Sequence, residues 1–178
     1  MDILFLGHSL IEFYDWQKRF TAHKAVNLGV AGETVEGLLS RIDRITKEHP
    51  SADLIFIMTG LNNIAMDDFD FFGSYKKILE KLSPAYPSAK IFMNSILPVI
   101  MDFISNETIQ NVNKSLKGLA GETGVEFLDI YNLFLDEKGR VIRDYLLDDG
   151  VHLSNKGYEV WAKAVEGELF MREKCYNP

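Results

Sequence analysis

The chain has little cysteine, no excess of positive charge and no long apolar run, and each shortage excludes a class of protein. Its single cysteine, Cys175, has no partner within the chain, which excludes an intrachain disulfide and a metal site built from several cysteines. The 178 residues include 19 Lys and Arg against 26 Asp and Glu, which gives a net charge of −7. Proteins that bind nucleic acids need clustered positive charge. We therefore expect no nucleic-acid partner.

The apolar segments are also too short to hold the chain in a membrane. The longest of them, at 54–58 and 96–101, fall far below the roughly 20 residues that span a bilayer. The first residues lack the length and the basic start of a signal peptide, and they predict a strand instead. We therefore expect no stable membrane insertion and a cytoplasmic location.

Short apolar runs alternate along the chain with segments of helical periodicity. The runs are nearly continuous, as expected for strands covered on both faces, and they lie at 3–6, 25–28, 54–58, 91–93 and 125–128. Apolar residues between the runs recur every three or four positions, as in Val35, Leu38, Ile42 and Ile45. This alternation predicts an α/β fold with a parallel sheet and helices on both faces. Because there is no linker or internal repeat, we expect a single domain over residues 1–178.

Two connections, at 61–73 and 97–105, are richer in apolar residues than a tight turn requires. Both follow predicted strands, so they should lie at the carboxyl edge of the sheet, where open α/β proteins bind ligands. They could wall a pocket for an acyl group or form the subunit contact of a homodimer. Packing against the edge of the core explains them equally well.

The first candidate for chemistry is Ser9, in the sequence Gly7-His8-Ser9-Leu10. A predicted strand ends at Gly7 and a helix is expected to begin just after Ser9, where backbone N–H groups point outward. This position favours a nucleophilic hydroxyl, because developing negative charge is stabilised there. An ordinary helix N-cap is the commoner role of such a serine, so the motif needs partners.

The partners occur near the other end of the chain, in Asp148-Asp149-Gly150-Val151-His152. His152 could serve as the general base for Ser9, and Asp149 could accept the other ring N–H across the glycine-containing turn. Asp148 is better explained as a solvated residue or a turn cap. A surface turn without a catalytic role is the alternative for the whole segment, since Asp-Gly turns are common.

Donors for an oxyanion could come from the ends of two further strands. Gly32, in a loop after the second apolar run, can present its backbone N–H without a side chain in the way. Asn62, after the third run, carries an amide that can reach the same place. A turn glycine and an Asx cap are the simpler roles for these two residues. Their common position at one edge of one sheet favours a shared site.

These four blocks resemble, in this order, those of the SGNH hydrolases, also called GDSL esterases and lipases. In that family Ser, Gly, Asn and His occupy separate blocks, and an Asp precedes the His by three positions. The corresponding residues here are Ser9, Gly32, Asn62, Asp149 and His152. The resemblance implies a three-layer α/β/α fold of the flavodoxin-like type with a five-stranded parallel sheet. It also implies ester hydrolysis that uses no metal and no cofactor.

Three positions depart from the family pattern. His8 and Asn63 stand where the family usually has Asp, and Glu33 stands where Asp is more frequent. Neither His8 nor Asn63 carries the catalytic role in the family. Because both lie beside the predicted site, we expect their lack of negative charge to affect substrate preference or the anchoring of loops.

Together the residues predict a serine esterase that works through an acyl-enzyme. His152 would take the proton of Ser9, and the N–H groups of Ser9 and Gly32 would bind the oxyanion with the side chain of Asn62. The substrate would be a small-molecule ester, with a short acyl group on a sugar, a lysophospholipid or another metabolite. An acyltransferase with the same site and a non-catalytic binding module on the same fold are the alternatives.

Overall fold

The computed structural model describes the backbone of residues 1–176 and the side chains of residues 1–174, so the expectation about Cys175 concerns a side chain outside the described part. Within it, five strands form one fully parallel sheet in the order β2-β1-β3-β4-β5. The strands are β1 Asp2–Gly7, β2 Lys24–Gly29, β3 Leu54–Met58, β4 Lys90–Asn94 and β5 Glu126–Leu128. Each overlaps one of the five apolar runs, and the predicted parallel sheet is confirmed.

Helices follow the strands along residues 1–176. They are α1 Ser9–Glu12, α2 Trp16–Arg19, α3 Val35–Glu48, α4 Leu61–Ala65, α5 Phe72–Ala85, α6 Asn106–Thr123 and α7 Asn155–Tyr176. Two short 3-10 helices, Tyr131–Phe134 and Arg143–Tyr145, lie between β5 and α7. None of the helices in this part of the chain is both long and apolar enough to cross a membrane.

The sheet separates two hydrophobic cores. On the inner strand β1, Leu4 and Leu6 face a first core that α3, α5 and α6 cover. Ile3 and Phe5 face a second core, which α1, α2 and α7 cover. Successive side chains of a strand point to opposite faces, so a strand buried on both faces is apolar throughout. The predicted three-layer α/β/α fold is therefore confirmed.

The carboxyl edge of the sheet brings three loops side by side. Gly7 ends β1 and lies in register with Gly29 of β2 on one side and with Met58 of β3 on the other. A Cβ at position 7 would lie 1.9 Å from the carbonyl oxygen of Met58, so only glycine fits where the chain leaves β1. The loop after β1 is thus held between the loops after β2 and β3.

The two apolar connections divide between core and surface. Ile64, Phe71, Val99 and Ile104 are buried in the first core, so packing accounts for them. Four other side chains of these connections are exposed, namely Met66, Phe69, Ile100 and Phe103. For these exposed residues, a pocket wall or a subunit contact stays a prediction.

Candidate active site

Ser9 is the first residue of α1 and contacts a histidine from the far end of the chain. Its Oγ lies 3.0 Å from Nε2 of His152, although 143 positions separate the two residues. The helix is capped by His8, whose Nδ1 accepts a hydrogen bond from the N–H of Leu10 at 3.4 Å. The alternative that Ser9 serves as an N-cap is therefore wrong. Its hydroxyl is directed to His152 instead.

Asp149 holds the opposite side of the His152 ring. Its Oδ2 lies 2.7 Å from Nδ1 of His152, and its Oδ1 accepts hydrogen bonds of 2.9 Å from the backbone N–H groups of Val151 and His152. Partial burial opposes the ionised form of Asp149, but these hydrogen bonds outweigh it and lower the pKa of the carboxyl to about 2. The ionised carboxylate favours the tautomer with the proton on Nδ1, which leaves Nε2 free to accept the proton of Ser9.

The turn that carries Asp149 and His152 is fixed to the loop after β4. Gly150 has a φ of +72°, and a Cβ there would lie 2.2 Å from the carbonyl oxygen of Ile100. The N–H of Ile100 donates to the carbonyl of Gly150 at 2.8 Å. Because of these contacts the segment 148–152 is held against the loop after β4, unlike a turn that contacts only solvent. Asp148, by contrast, extends its side chain fully into solvent, as expected.

Gly32 lies on the loop after β2 and Asn62 lies in the first turn of α4, and Glu33 joins them. Gly32 has a φ of +75°, and the space that its Cβ would take is open. The backbone conformation therefore requires this glycine, whereas steric access does not. The side chain of Asn62 donates a hydrogen bond of 2.9 Å to the carbonyl of Glu33. Since Asn62 lies within α4 and the preceding Gly60 is the N-cap, the Asx-cap alternative is wrong.

An ion pair between Glu33 and Arg41 stabilises the loop that carries Gly32. The carboxylate of Glu33 accepts hydrogen bonds from Nε and Nη2 of Arg41 at 2.5 and 2.6 Å, and both side chains are largely buried. Arg41 also donates to the carbonyl of Leu28 at 2.6 Å. Sequence reasoning missed Arg41, because a contact eight positions along the chain follows no local pattern. A bidentate pair of this kind fixes the orientation of both partners.

Asn63 connects the start of α3 to the loop that follows α4. Its side chain is fully buried, and its Oδ1 accepts from the N–H of Val35 at the start of α3, at 3.0 Å. Its Nδ2 donates to Glu36 at 2.8 Å and to Asp68 at 2.7 Å. An aspartate could not make the last two bonds while ionised. The expectation that this position affects loop anchoring agrees with these contacts.

His8, beside Ser9, is buried and uncharged at neutral pH. Burial, with a smaller contribution from the charge of His152, lowers the pKa of His8 to about 4. Its Nδ1 accepts from Leu10, and its Nε2 has no hydrogen-bond partner among the described residues. A neutral ring therefore occupies the position where the resemblance leads one to expect a carboxylate.

An open cleft lies beside His152, and sequence reasoning missed the aromatic residue at its mouth. The ring of Phe13 lies 5.3 Å from the ring of His152, centroid to centroid, and it is largely exposed. The cleft has a volume of about 540 Å³. Only the fold brings Phe13 and His152 together, since nothing in their sequence spacing relates them. We call this space the His152 cleft.

Comparison with known proteins agrees with this geometry. The sequence pattern of the GDSL-like lipase/acylhydrolase family matches residues 7–160. The chain is 28% identical over 179 residues to the platelet-activating factor acetylhydrolase IB subunit alpha2 of Rattus norvegicus, covering 96% of this chain and 76% of the relative. It is 26% identical over 174 residues to the subunit alpha1 of Pongo abelii, covering 94% and 75%.

Solved structures give the same result. A Streptococcus pneumonia protein, provisionally named a platelet activating factor, superimposes with a TM-score of 0.85 at 32% identity, over 94% of this chain and 83% of that one. An acetylxylan esterase from Geobacillus stearothermophilus shares the fold with a TM-score of 0.77 at 18% identity, over 92% and 91%. Because the family pattern spans most of its length, the chain belongs to the GDSL-like lipase/acylhydrolase family and is a carboxylic ester hydrolase.

Proposed function

We propose that Ser9 is the nucleophile of this hydrolase, with His152 as general base and Asp149 as the residue that orients it. The observation that carries the proposal is the unbroken line of hydrogen bonds from Ser9 through His152 to Asp149, at 3.0 and 2.7 Å. Nε2 of His152 takes the hydroxyl proton as Oγ attacks the ester carbonyl. The same nitrogen then gives that proton to the departing alcohol. Water repeats the sequence on the acyl-enzyme and releases the acid and the free serine.

The oxyanion is proposed to bind to the N–H groups of Ser9 and Gly32 and to the side chain of Asn62. Ser9 supports this role because the first N–H of a helix has no acceptor within the helix. Asn62 supports it because an amide nitrogen has two hydrogens, and the bond to Glu33 uses one. Donors fixed in advance stabilise the charge that develops on the carbonyl oxygen without having to reorganise.

The acyl group is proposed to be short, with acetyl as the main candidate. Gly60 leads into the turn toward Asn62, and the side chains of Ile96 and Phe71 lie 3.1 and 3.3 Å from the place of its Cβ. Buried apolar side chains therefore already fill the space around Gly60, which leaves no room there for a long acyl chain. The name of the rat relative, an acetylhydrolase, agrees with an acetyl group.

The proposal is tested with p-nitrophenyl acetate and a fluorophosphonate probe. Ser9→Ala should abolish probe labelling and lower kcat by a factor on the order of 10³ or more, since the nucleophile is lost. Ser40→Ala, which removes an exposed hydroxyl on α3, is the matched control and should keep both. Mass spectrometry of the wild type during turnover should find the acetyl group on the peptide that contains Ser9. If the activity of Ser9→Ala stayed within a few-fold of wild type, Ser9 would not be the nucleophile.

A further inference from the structure

His152 lines the cleft, and the alcohol must leave close to this residue. The histidine that takes the serine proton later donates it to the leaving oxygen, so the alcohol must depart within reach of Nε2. Gly32 and Asn62, the proposed oxyanion donors, belong to other segments of the chain. Residues of the turn and the helix start around His152 line the cleft, together with residues that follow α1. The lining includes Phe13, Tyr14, Asp144, Leu147, Lys156 and Tyr158.

We infer that the His152 cleft binds the alcohol part of the ester, and that this alcohol is an uncharged, sugar-like polyol. The inference rests on the proposed roles of Ser9 and His152. The cleft volume of about 540 Å³ is within the range of sites for small ligands and accommodates one or two sugar rings. The apolar walls and the charge of the cleft favour a sugar-like alcohol over a lysophospholipid.

Flat apolar surfaces form the walls. The ring of Phe13 is 57% exposed, and it lies at 38° to the imidazole of His152. Tyr14 stacks on Tyr158 with ring centroids 4.5 Å apart, so this second aromatic surface is held in place. Leu147 is also exposed at the cleft. The C–H face of a sugar ring packs well on such surfaces, because it removes apolar area from water on both sides.

The polar part of the lining disfavours a charged alcohol. Lys156 is the one lysine or arginine among the described lining residues, and its Nζ lies 2.9 Å from the carboxylate of Asp144. A phosphate would need a free cationic donor in the cleft. The pair of Lys156 and Asp144 offers instead both donors and acceptors with no net charge, as does the lining residue Asn155. The net charge of −7 further opposes an anionic substrate.

The test compares three acetate esters, namely an acetylated methyl glucoside, an acetylated lysophosphatidic acid and ethyl acetate. For the wild type, kcat/KM on the glucoside should exceed that on the phospholipid by about tenfold or more. In Phe13→Ala, kcat/KM should fall about tenfold further on the glucoside than on ethyl acetate, whose alcohol is too small to lie along the ring. Phe170→Ala is the matched control, because Phe170 is 56% exposed on α7 and absent from the cleft lining. It should leave all three rates unchanged.

A second variant tests the charge argument. Asp144→Asn frees Lys156 to meet a phosphate, so kcat/KM on the phospholipid should rise several-fold relative to the glucoside. A wild-type preference for the phospholipid, or an equal effect of Phe13→Ala on glucoside and ethyl acetate, would overturn the inference. In that case Ser9-dependent hydrolysis of ethyl acetate would still support the proposed function. If ethyl acetate hydrolysis did not depend on Ser9, both the proposed function and the inference about the cleft would be wrong.

Discussion

The side-chain amide of Asn63 donates a hydrogen bond of 2.7 Å to the carboxylate of Asp68. The same nitrogen donates to Glu36 at 2.8 Å, so two carboxylates meet at one buried amide. An aspartate at position 63 would bring a third carboxylate to this place and would remove both donors. Like charges that share a buried site repel, and the neutral residue is therefore part of the local structure.

Asn63→Asp is expected to lower the free energy of unfolding at pH 7 by about 2–4 kcal/mol, since it removes two hydrogen-bond donors and places a new charge at a buried position beside two carboxylates. Chemical denaturation at pH 7 measures this loss. Asn111→Asp, at an exposed position of α6, should change stability by no more than about 0.5 kcal/mol. An Asn63→Asp protein as stable as the wild type would contradict this account of the cluster.

Asp149→Asn should lower kcat for p-nitrophenyl acetate by a factor on the order of 10³–10⁴, because an amide no longer selects the tautomer with Nδ1–H. The turn should stay folded, since the amide oxygen can still accept from the N–H groups of Val151 and His152. Asp148→Asn removes a neighbouring charge that is fully exposed, and it should keep kcat within about twofold. Equal losses in the two variants would show that general electrostatics, and not the contact with His152, is responsible.

Acidification is expected to destabilise the protein through His8. Its pKa is lowered from 6.5 to about 4 in the fold, so between these values the unfolded chain binds more protons than the folded one. Stability is therefore fully present above pH 6.5 and falls as the pH drops to about 4, by up to about 3 kcal/mol from this residue.

His8→Asn provides the test, because asparagine keeps an acceptor at the N-cap of α1 and does not titrate. The melting temperature of this variant should vary less between pH 6.5 and 4 than that of the wild type. His49→Asn, at a half-buried histidine that ends α3, is the comparison variant. Parallel melting curves for wild type and His8→Asn across this range would exclude His8 as the cause.

Gly150→Ala is expected to destabilise the protein by about 2 kcal/mol or more and to reduce activity, since a methyl group would collide with the carbonyl of Ile100 at a positive φ. Gly118→Ala makes the same chemical change on α6, where the Cβ meets nothing within 4 Å. It should raise the free energy of unfolding by about 0.5–1 kcal/mol, because alanine favours the helix. Thermal unfolding of both variants, with p-nitrophenyl acetate turnover, gives the comparison.

Local patterns predicted the strands because every strand is covered on both faces. Residues 54–58 form an unbroken apolar run, and β3 has these same bounds. The spacing of Asp149 and His152 was equally informative, since a short turn brings the two side chains to one side. In each case the determining interactions lie within a few positions of the chain.

Contacts between distant segments escaped the sequence reasoning. The partners of Asn63 come from α3 and from the loop after α4, and no periodicity relates positions 36, 63 and 68. Likewise, His8 was identified only as a departure from a family pattern. Its burial and its role as the cap of α1 depend on how β1 meets the rest of the sheet. Such roles follow from packing, which residue types alone do not determine.

The pairing of Ser9 with His152 also has a consequence for the order of folding. Ser9 follows β1, near the start of the chain, whereas His152 precedes α7. Tyr158 of α7 donates a hydrogen bond of 3.0 Å to the carbonyl of Leu10. Closing a loop of 143 positions is slow compared with forming local turns. We therefore expect the contact between Ser9 and His152 to form only once α7 packs on the second core. After dilution from denaturant, esterase activity should therefore recover later than the far-UV circular dichroism signal of helices and strands.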